Sequence, residues 1–412
     1  MVDYVLDWLH LLALWLHVIA AIAWIGSSFY FIWLDNHLEP VPAAGGVAGE
    51  LWAVHGGGFY RARKYRVAPP ELPPTLHWFY REAYTTWLSG FFLLCLIFFV
   101  NARAYLIDPA AAALSPAEAV ALALTFLIGG WFVYDGLCRS PLGRDTLRLA
   151  IALGLVFAGE AWALCRLFSG QGAFMLFGAM LGTLMTANVL LVIIPGQREM
   201  VRAMRAAQTP DPVPGLRGKQ RSTHNTYFTL PVLFVMISGH FAMTYGARLN
   251  WLVLITMCFA GGSIRAWFVA RQRAWERGGK TPLLPVVLGI AAVAAVGVAL
   301  APPGESNDGG TSWTGSQARI AGIIARRCAP CHSPRPTERG FQEPPDGIVL
   351  DIPHDVRLHL TAVQQQVATR HMPLGNLTGM TAGERAALLD WIGHGAPSPA
   401  RDTPRGAARL GG

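Results

Sequence analysis

Five consecutive residues, Cys328-Ala329-Pro330-Cys331-His332, carry the most specific chemistry in the sequence. Two thiols one helical turn apart, followed directly by an imidazole, have the spacing that bonds the vinyl groups of a haem and ligates its iron from one face. The competing chemistry, half of a zinc site, needs a second Cys or His pair at zinc spacing, and none follows. The expectation is one covalent haem c held by Cys328 and Cys331, with His332 as an axial iron ligand. His/Met ligation raises the potential into the range used for electron transfer, so the opposite ligand is expected to be a thioether. Met372 and Met380 compete for that place. Met380 immediately precedes the helix-entry residue Thr381, whereas Met372-Pro373 lies in an extended loop, and Met372 is the choice. His354, His359, His371 and His394 are alternatives, read as solvated surface histidines.

A second set of polar groups lies within apolar runs, where ionisable side chains are costly and usually functional. His10 and His17 are seven residues apart, hence on one helix face and about 10 Å apart in height, and His240 falls at a comparable depth. His17 and His240 are candidates to hold a second, non-covalent haem. The plainer reading is that each histidine hydrogen-bonds across a helix bundle, and it is preferred for His10. Glu160, Asp135, Asn188 and Arg265 are further polar groups in or near the apolar runs, for proton conduction, cavity lining or mutual pairing.

The elements that must position these groups are helices in lipid. Of 412 residues 53% are hydrophobic and 14% charged, against roughly 25% charged in ordinary soluble domains. Eight segments approach the requirement of about 20 apolar residues for a crossing: 8–34, 84–102, 117–138, 147–168, 171–194, 226–245, 250–271 and 282–301. The net charge of +8 sits in short blocks between them. It therefore reads as an orientation signal, not as a nucleic-acid surface. Arg61, Arg63, Lys64, Arg66, Arg81, Arg139, Arg144, Arg148 and the basic residues of 198–221 and 271–280 fall on one face, against Arg103, Arg166 and Arg248 on the other. By the positive-inside rule both termini are outside. The N-terminus carries Asp3 and Asp7, not a basic leader, and reads as a retained first helix. Cys95, Cys138, Cys165 and Cys258 read as small buried hydrophobes.

The expected architecture is all-α: an eight-helix transmembrane bundle over 1–301, a Pro/Gly/Ser-rich linker at 302–312, a class I-like cytochrome c domain on the extracytoplasmic side over 313–400, and a disordered tail, 401–412. Three helical patterns fall in the second domain, at about 315–328, 353–370 and 382–394. The last of them opens on a Thr381/Glu384 capping box.

The segment AVHGGGFYRARKYRVAPPELPPTLHWFYREAYTTWLSG (53–90) resembles the membrane-bound, cytochrome c-containing urate oxidases of bacteria. So do YDGLCRSPLG (134–143), TANVLLVIIPGQREMV (186–201), RSTHNTYFTLPVLFVMIS (221–238) and the haem segment through MPLGNLTGMTAGERAALLDWIGHGA (372–396). The resemblance covers nearly the whole chain in the same order. It implies an inner-membrane urate hydroxylase that converts urate and water to 5-hydroxyisourate. Electrons would pass to the haem, then to a soluble periplasmic cytochrome c or a terminal oxidase, without making hydrogen peroxide. The pattern LHVIAAIAWIGSSFYF (16–31) is also similar to the first helix of membrane haem proteins that oxidise porphyrinogen, where such a histidine ligates haem.

Urate is a planar, polar anion, so its site should combine aromatic faces with cations or amides. The loop 35–83 interleaves Trp52, Phe59, Tyr60, Tyr65, Trp78, Phe79 and Tyr80 with basic residues. Arg66, Trp78, Tyr80 and Asn225 are the candidate binding residues. His55, Lys64, His77 and His224 are the candidate bases, with no spacing rule to choose among them. An interfacial aromatic belt with orientation charges is the bland alternative for the loop. A site there would lie about 30 Å of hydrocarbon from the cytochrome domain, which is what makes a second haem attractive as a relay. Two other function classes stay open: a membrane-anchored electron relay or quinol-oxidising subunit, and a transporter with a redox-sensing tail.

Overall fold

The computed structural model describes residues 2–41, 46–66, 69–109, 111–276, 279–301, 315–338, 341 and 343–397. The expected linker 302–312 and tail 401–412 lie outside the described residues. Contacts divide the chain into two compact units, Met1–Ala301 and Pro302–Gly412.

The first unit consists of α1 (Val2–Asn36), the strands β1 (Val47–His55) and β2 (Gly58–Tyr65), α2 (Arg81–Phe99), α3 (Pro116–Arg139), α4 (Thr146–Leu167), α5 (Gly170–Arg205), α6 (Pro212–Ser238), α7 (Asn250–Glu276) and α8 (Leu284–Ala299). Starts are set by local chemistry. Ser115 and Glu118 form a reciprocal capping box with Pro116 at the first position of α3. Asp145 accepts from the backbone N–H groups of Leu147 and Arg148 to open α4, and Asp211 accepts from Val213 N to open α6.

Among the described residues six helices, α1 to α5 and α7, are long and apolar enough to cross a membrane. The other two of the eight expected crossings fall on α6 and α8, which do not meet that length and apolarity. The first half of α6 is polar, Pro-Val-Pro-Gly-Leu-Arg-Gly-Lys-Gln-Arg, and the helix ends at Ser238 instead of running on through 245. The apolar α8 is only 16 residues long. The all-α expectation also needs correcting. Residues 47–65 form an antiparallel hairpin, with Trp52 opposite Arg61 and Val54 opposite Phe59. Gly56 and Gly57 make its turn with φ of +56° and +78°, a conformation that a residue with a Cβ resists.

In the core, α5 is central, burying Ala173, Phe174, Leu176, Phe177, Met180, Leu181 and Leu184. Five helices close a ring, in which α1 packs on α2, α2 on α5, α5 on α6, α6 on α7 and α7 on α1. Directions follow from paired residues. On α1 and α2, His17 meets Ser89 and Phe31 meets Phe79 just before Arg81. Between α5 and α6, Gly178 abuts Val235, Met185 O accepts from Asn225, and Gly196 abuts Pro214. Between α6 and α7, Leu230 meets Gly261 and Thr226 O meets Arg265. Each of these neighbours is antiparallel.

The second unit packs α9 (Gln317–Arg327), α10 (Pro353–Leu358), α11 (Leu360–Ala368) and α12 (Ala382–Gly393) around Ile320, Ile323, Ile324, Val356, Val363, Val367, Leu388 and Trp391. The helical pattern at 353–370 is broken at His359 into α10 and α11. Thr381 and Glu384 form the capping box of α12, and Glu384 also accepts from Arg327 Nε at 3.1 Å and Nη2 at 3.2 Å, tying α9 to α12.

Two predictions follow from packing. A Cβ on Gly90 would sit 2.7 Å from His17 Cε1, whereas one on Gly129 would meet nothing within 4 Å. G90V should therefore lose about 1–3 kcal/mol more than G129V, read as a lower midpoint of thermal unfolding in the same detergent. The backbone N–H of Thr381, with help from Arg327, lowers the Glu384 carboxyl from 4.5 to about 2. A carboxylate depressed on folding stabilises fully above its unfolded value and loses that contribution as pH falls through its folded value. T381A should cost about 1 kcal/mol at neutral pH and move the acid opening of α12 to higher pH, measured by hydrogen exchange over 382–393 in the full-length protein.

Candidate functional site

Three helices bring one face each to a polar cluster inside the first unit. α3 supplies Tyr134, Asp135 and Cys138, four residues apart at its ends and so on one face. α6 supplies Arg221, His224, Asn225 and Phe228 at the same kind of spacing, and α5 supplies Asn188, the last residue before a π-helical turn over Val189–Ile193. Asn188 is fully buried, and Arg221 is 3% exposed.

Asn188 Nδ2 donates to Tyr134 Oη at 2.9 Å and to Asn225 Oδ1 at 2.8 Å, while Asn225 Nδ2 donates to Met185 O at 2.9 Å. The Tyr134 hydroxyl is also hydrogen-bonded to His224 Nδ1 at 2.8 Å. Arg221 Nη2 donates to Asp135 Oδ1 at 2.7 Å, its Nη1 reaches Asn188 Oδ1 at 3.4 Å, and its guanidinium lies 4.9 Å from the centre of the Tyr134 ring. Asp135 Oδ2 accepts from Arg139 Nε at 2.6 Å. The cluster is closed: the buried cation is neutralised, and Asn188 and Asn225 use both ends of their amides. Such a network holds α3, α5 and α6 in register.

Of the residues singled out in the sequence, His224, Asn225, Asp135 and Asn188 meet here. Tyr134 and Cys138 were missed, and Arg221 was counted only as an orientation charge. The available signal was the i, i+4, i+7 spacing that puts Arg221, Asn225 and Phe228 on one face of the helix.

The remaining candidates lie elsewhere. His55 is exposed beside the hairpin turn, and Arg66 is exposed with its backbone N–H donating to Gly46 O. Lys64 is ion-paired with Asp35 at 2.6 Å. His77 is exposed, with its ring edge-on to Phe79. Trp78 and Tyr80 are half-buried and pack with Trp24, Tyr84 and Ile193 against Ala83, Val189 and Ile194. His17 Nδ1 meets Thr86 O at 3.0 Å and Ser89 Oγ at 3.2 Å on α2. His240 is exposed just past the end of α6, and among the described residues no hydrogen bond or ring contact joins it to His17.

In the second unit the backbone N–H groups of Cys331 and His332 both donate to Cys328 O, at 3.2 and 2.9 Å, so the motif forms one helical turn. His332 Nδ1 donates to Ile348 O at 2.9 Å. That bond fixes the tautomer and leaves Nε2 unprotonated, the nitrogen with a lone pair for a metal. Both thiols are free, and burial pushes Cys328 up to about 12. Met380 is 4% exposed within the apolar core, whereas Met372 is half-buried in the loop after α11, its carbonyl accepting from Arg385 at 2.7 Å. His354 and His394 sit beside Asp355 and Asp390. His359 is half-buried between α10 and α11, and burial lowers the half-buried His371.

A haem needs partners for its propionates as well as for its iron, and this unit has buried polar atoms to spare. Arg357 Nη1 is buried with no hydrogen-bond partner and is a donor suited to a propionate carboxylate, so the residues present fit the group. Among the described residues no set of three or more His, Cys, Asp or Glu side chains is placed to hold a bare metal ion.

Compared with known proteins, residues 3–300 match the family described as urate oxidase N-terminal. No curated protein and no solved structure matches the chain. The match takes in every helix of the first unit, including the three that carry the Tyr134–His224 cluster, and on that coverage the chain belongs to the urate oxidase N-terminal family.

Proposed function

We propose that the chain is a membrane-bound urate hydroxylase that converts urate and water to 5-hydroxyisourate and sends the two electrons to a covalent haem c. The observation that carries this reading is the joining, in one chain, of a urate oxidase family domain over 3–300 to a C-x-x-C-H turn whose histidine is already held by Ile348 O. The oxidation releases two protons and two electrons for each urate. A haem accepts one electron at a time, so transfer takes two successive steps, onward to a soluble cytochrome c or a terminal oxidase. In this reading Cys328 and Cys331 would hold the porphyrin, and His332 Nε2 and Met372 would hold its iron, Met380 being buried in the core.

The membrane arrangement belongs to the same proposal. α6 and α8 complete eight crossings in the inner membrane, with the arginine-rich ends in the cytoplasm and the haem unit in the periplasm. The Tyr134–His224 cluster keeps three helices in register. A non-covalent haem at His17, whose Nδ1 is engaged by Thr86 O, would shorten the path across the bilayer.

Anaerobic addition of urate to the oxidised full-length protein should reduce the haem, seen as sharpening of its visible bands, and a quinol should not. Reduction by quinol alone identifies an electron relay instead. The double variant C328A/C331A should lose urate-driven electron transfer to an external cytochrome c. M372A should retain covalent haem but show a lower midpoint potential in a redox titration, because the thioether is what raises it.

A further inference from the structure

The face of α6 opposite the closed cluster looks into the five-helix ring, where the polar groups are not satisfied. Arg265 on α7 is 1% exposed. Its Nε donates to Thr226 O at 3.3 Å, its guanidinium lies 3.9 Å from the centre of the Phe29 ring of α1, and its Nη2 is buried without a partner. Among the described residues no carboxylate is within ion-pair distance of it. A buried, unneutralised guanidinium is among the most unfavourable arrangements a helix bundle can hold. The neighbouring cation Arg221, paired with Asp135, shows the usual remedy.

Other unpaired atoms lie in the same part of the ring. Thr186 Oγ1 on α5 is buried without a partner. One turn earlier, Thr183 accepts from Trp87 of α2, which places this face of α5 toward the ring interior. Asn225 Nδ2 bonds Met185 O, so Thr186 lies at the level of Thr226 and hence of Arg265. Glu82 Oε2 on α2, nearer the arginine-rich helix ends, is also buried and unpaired.

We propose that the ring interior at Arg265 is the binding site for the purine substrate, with Arg265 Nη2 on an anionic oxygen of urate. Resting on the urate reading above, this assigns the site to residues outside the aromatic loop 35–83. The unpaired set asks for a ligand with an acceptor for Arg265 and an N–H donor for Glu82. Urate presents carbonyl oxygens and N–H groups around one planar rim, together with a negative charge and faces suited to aromatic walls such as Phe29.

The test is equilibrium dialysis of radiolabelled urate against full-length protein whose haem has been reduced beforehand with dithionite, so that binding is read without turnover. Wild type should bind. R265Q should bind about 10- to 100-fold more weakly, the loss of one charge-assisted hydrogen bond, with R265K between them. T186V should raise KM with little change in kcat, and guards against a misfolded R265Q, which an altered thermal melt would expose. If wild type is reduced by urate while R265K and T186V keep wild-type affinity and KM, the site assignment is overturned and the enzymatic reading stands. If wild type neither binds urate nor is reduced by it, the enzymatic reading fails, and this assignment with it.

Discussion

A guanidinium or a carboxylate buried alone in an apolar bundle is costly, and the pairing of Arg221 with Asp135 is the constraint around which the first unit is organised. The pair joins α6 to α3. Asn188 lies against the guanidinium and Tyr134 beneath it, so α5 is drawn into the same set of bonds. Once those side chains are fixed, the faces of α5 and α6 that look the other way are fixed as well. Thr186 and Thr226 thus owe their level in the bundle to bonds made on the far side of their own helices.

The C-x-x-C-H turn shows the same economy at smaller scale. Its histidine is oriented by one backbone carbonyl, Ile348 O, and the loop supplying that carbonyl is held in turn by Leu350 N donating to His332 O at 2.6 Å. The histidine and its support therefore come from two short segments that bond each other in both directions.

Local chemistry was legible in the sequence wherever it depended on spacing within one segment. The C-x-x-C-H turn, the Thr381/Glu384 box and the long apolar helices are all of that kind. What could not be read was convergence. Helical spacing shows that Arg221 and Asn225 share a face, but not that the face meets Tyr134, which is some ninety positions away. The basic residues around 61–66 resemble those of 217–221 in composition, yet the first group sits on an exposed hairpin with Glu50 and Asp35 as partners, and the second enters the bundle. The hairpin itself was hidden because aromatic and basic residues alternate there as they do in membrane-interface loops. α6 was mispositioned because its polar half is helical too, and hydropathy alone starts the helix too late.

An odd number of helices closes the ring, and this has a topological result. Successive neighbours from α1 to α7 alternate in direction, so α7 returns to α1 running the same way. Parallel neighbours cannot be joined by a short connection, and here the whole first unit intervenes between them. The seam is therefore held by side chains alone, with the Arg265 cation lying over Phe29 as its most intimate contact. A groove that parts along this line can open sideways without breaking any connection of the backbone.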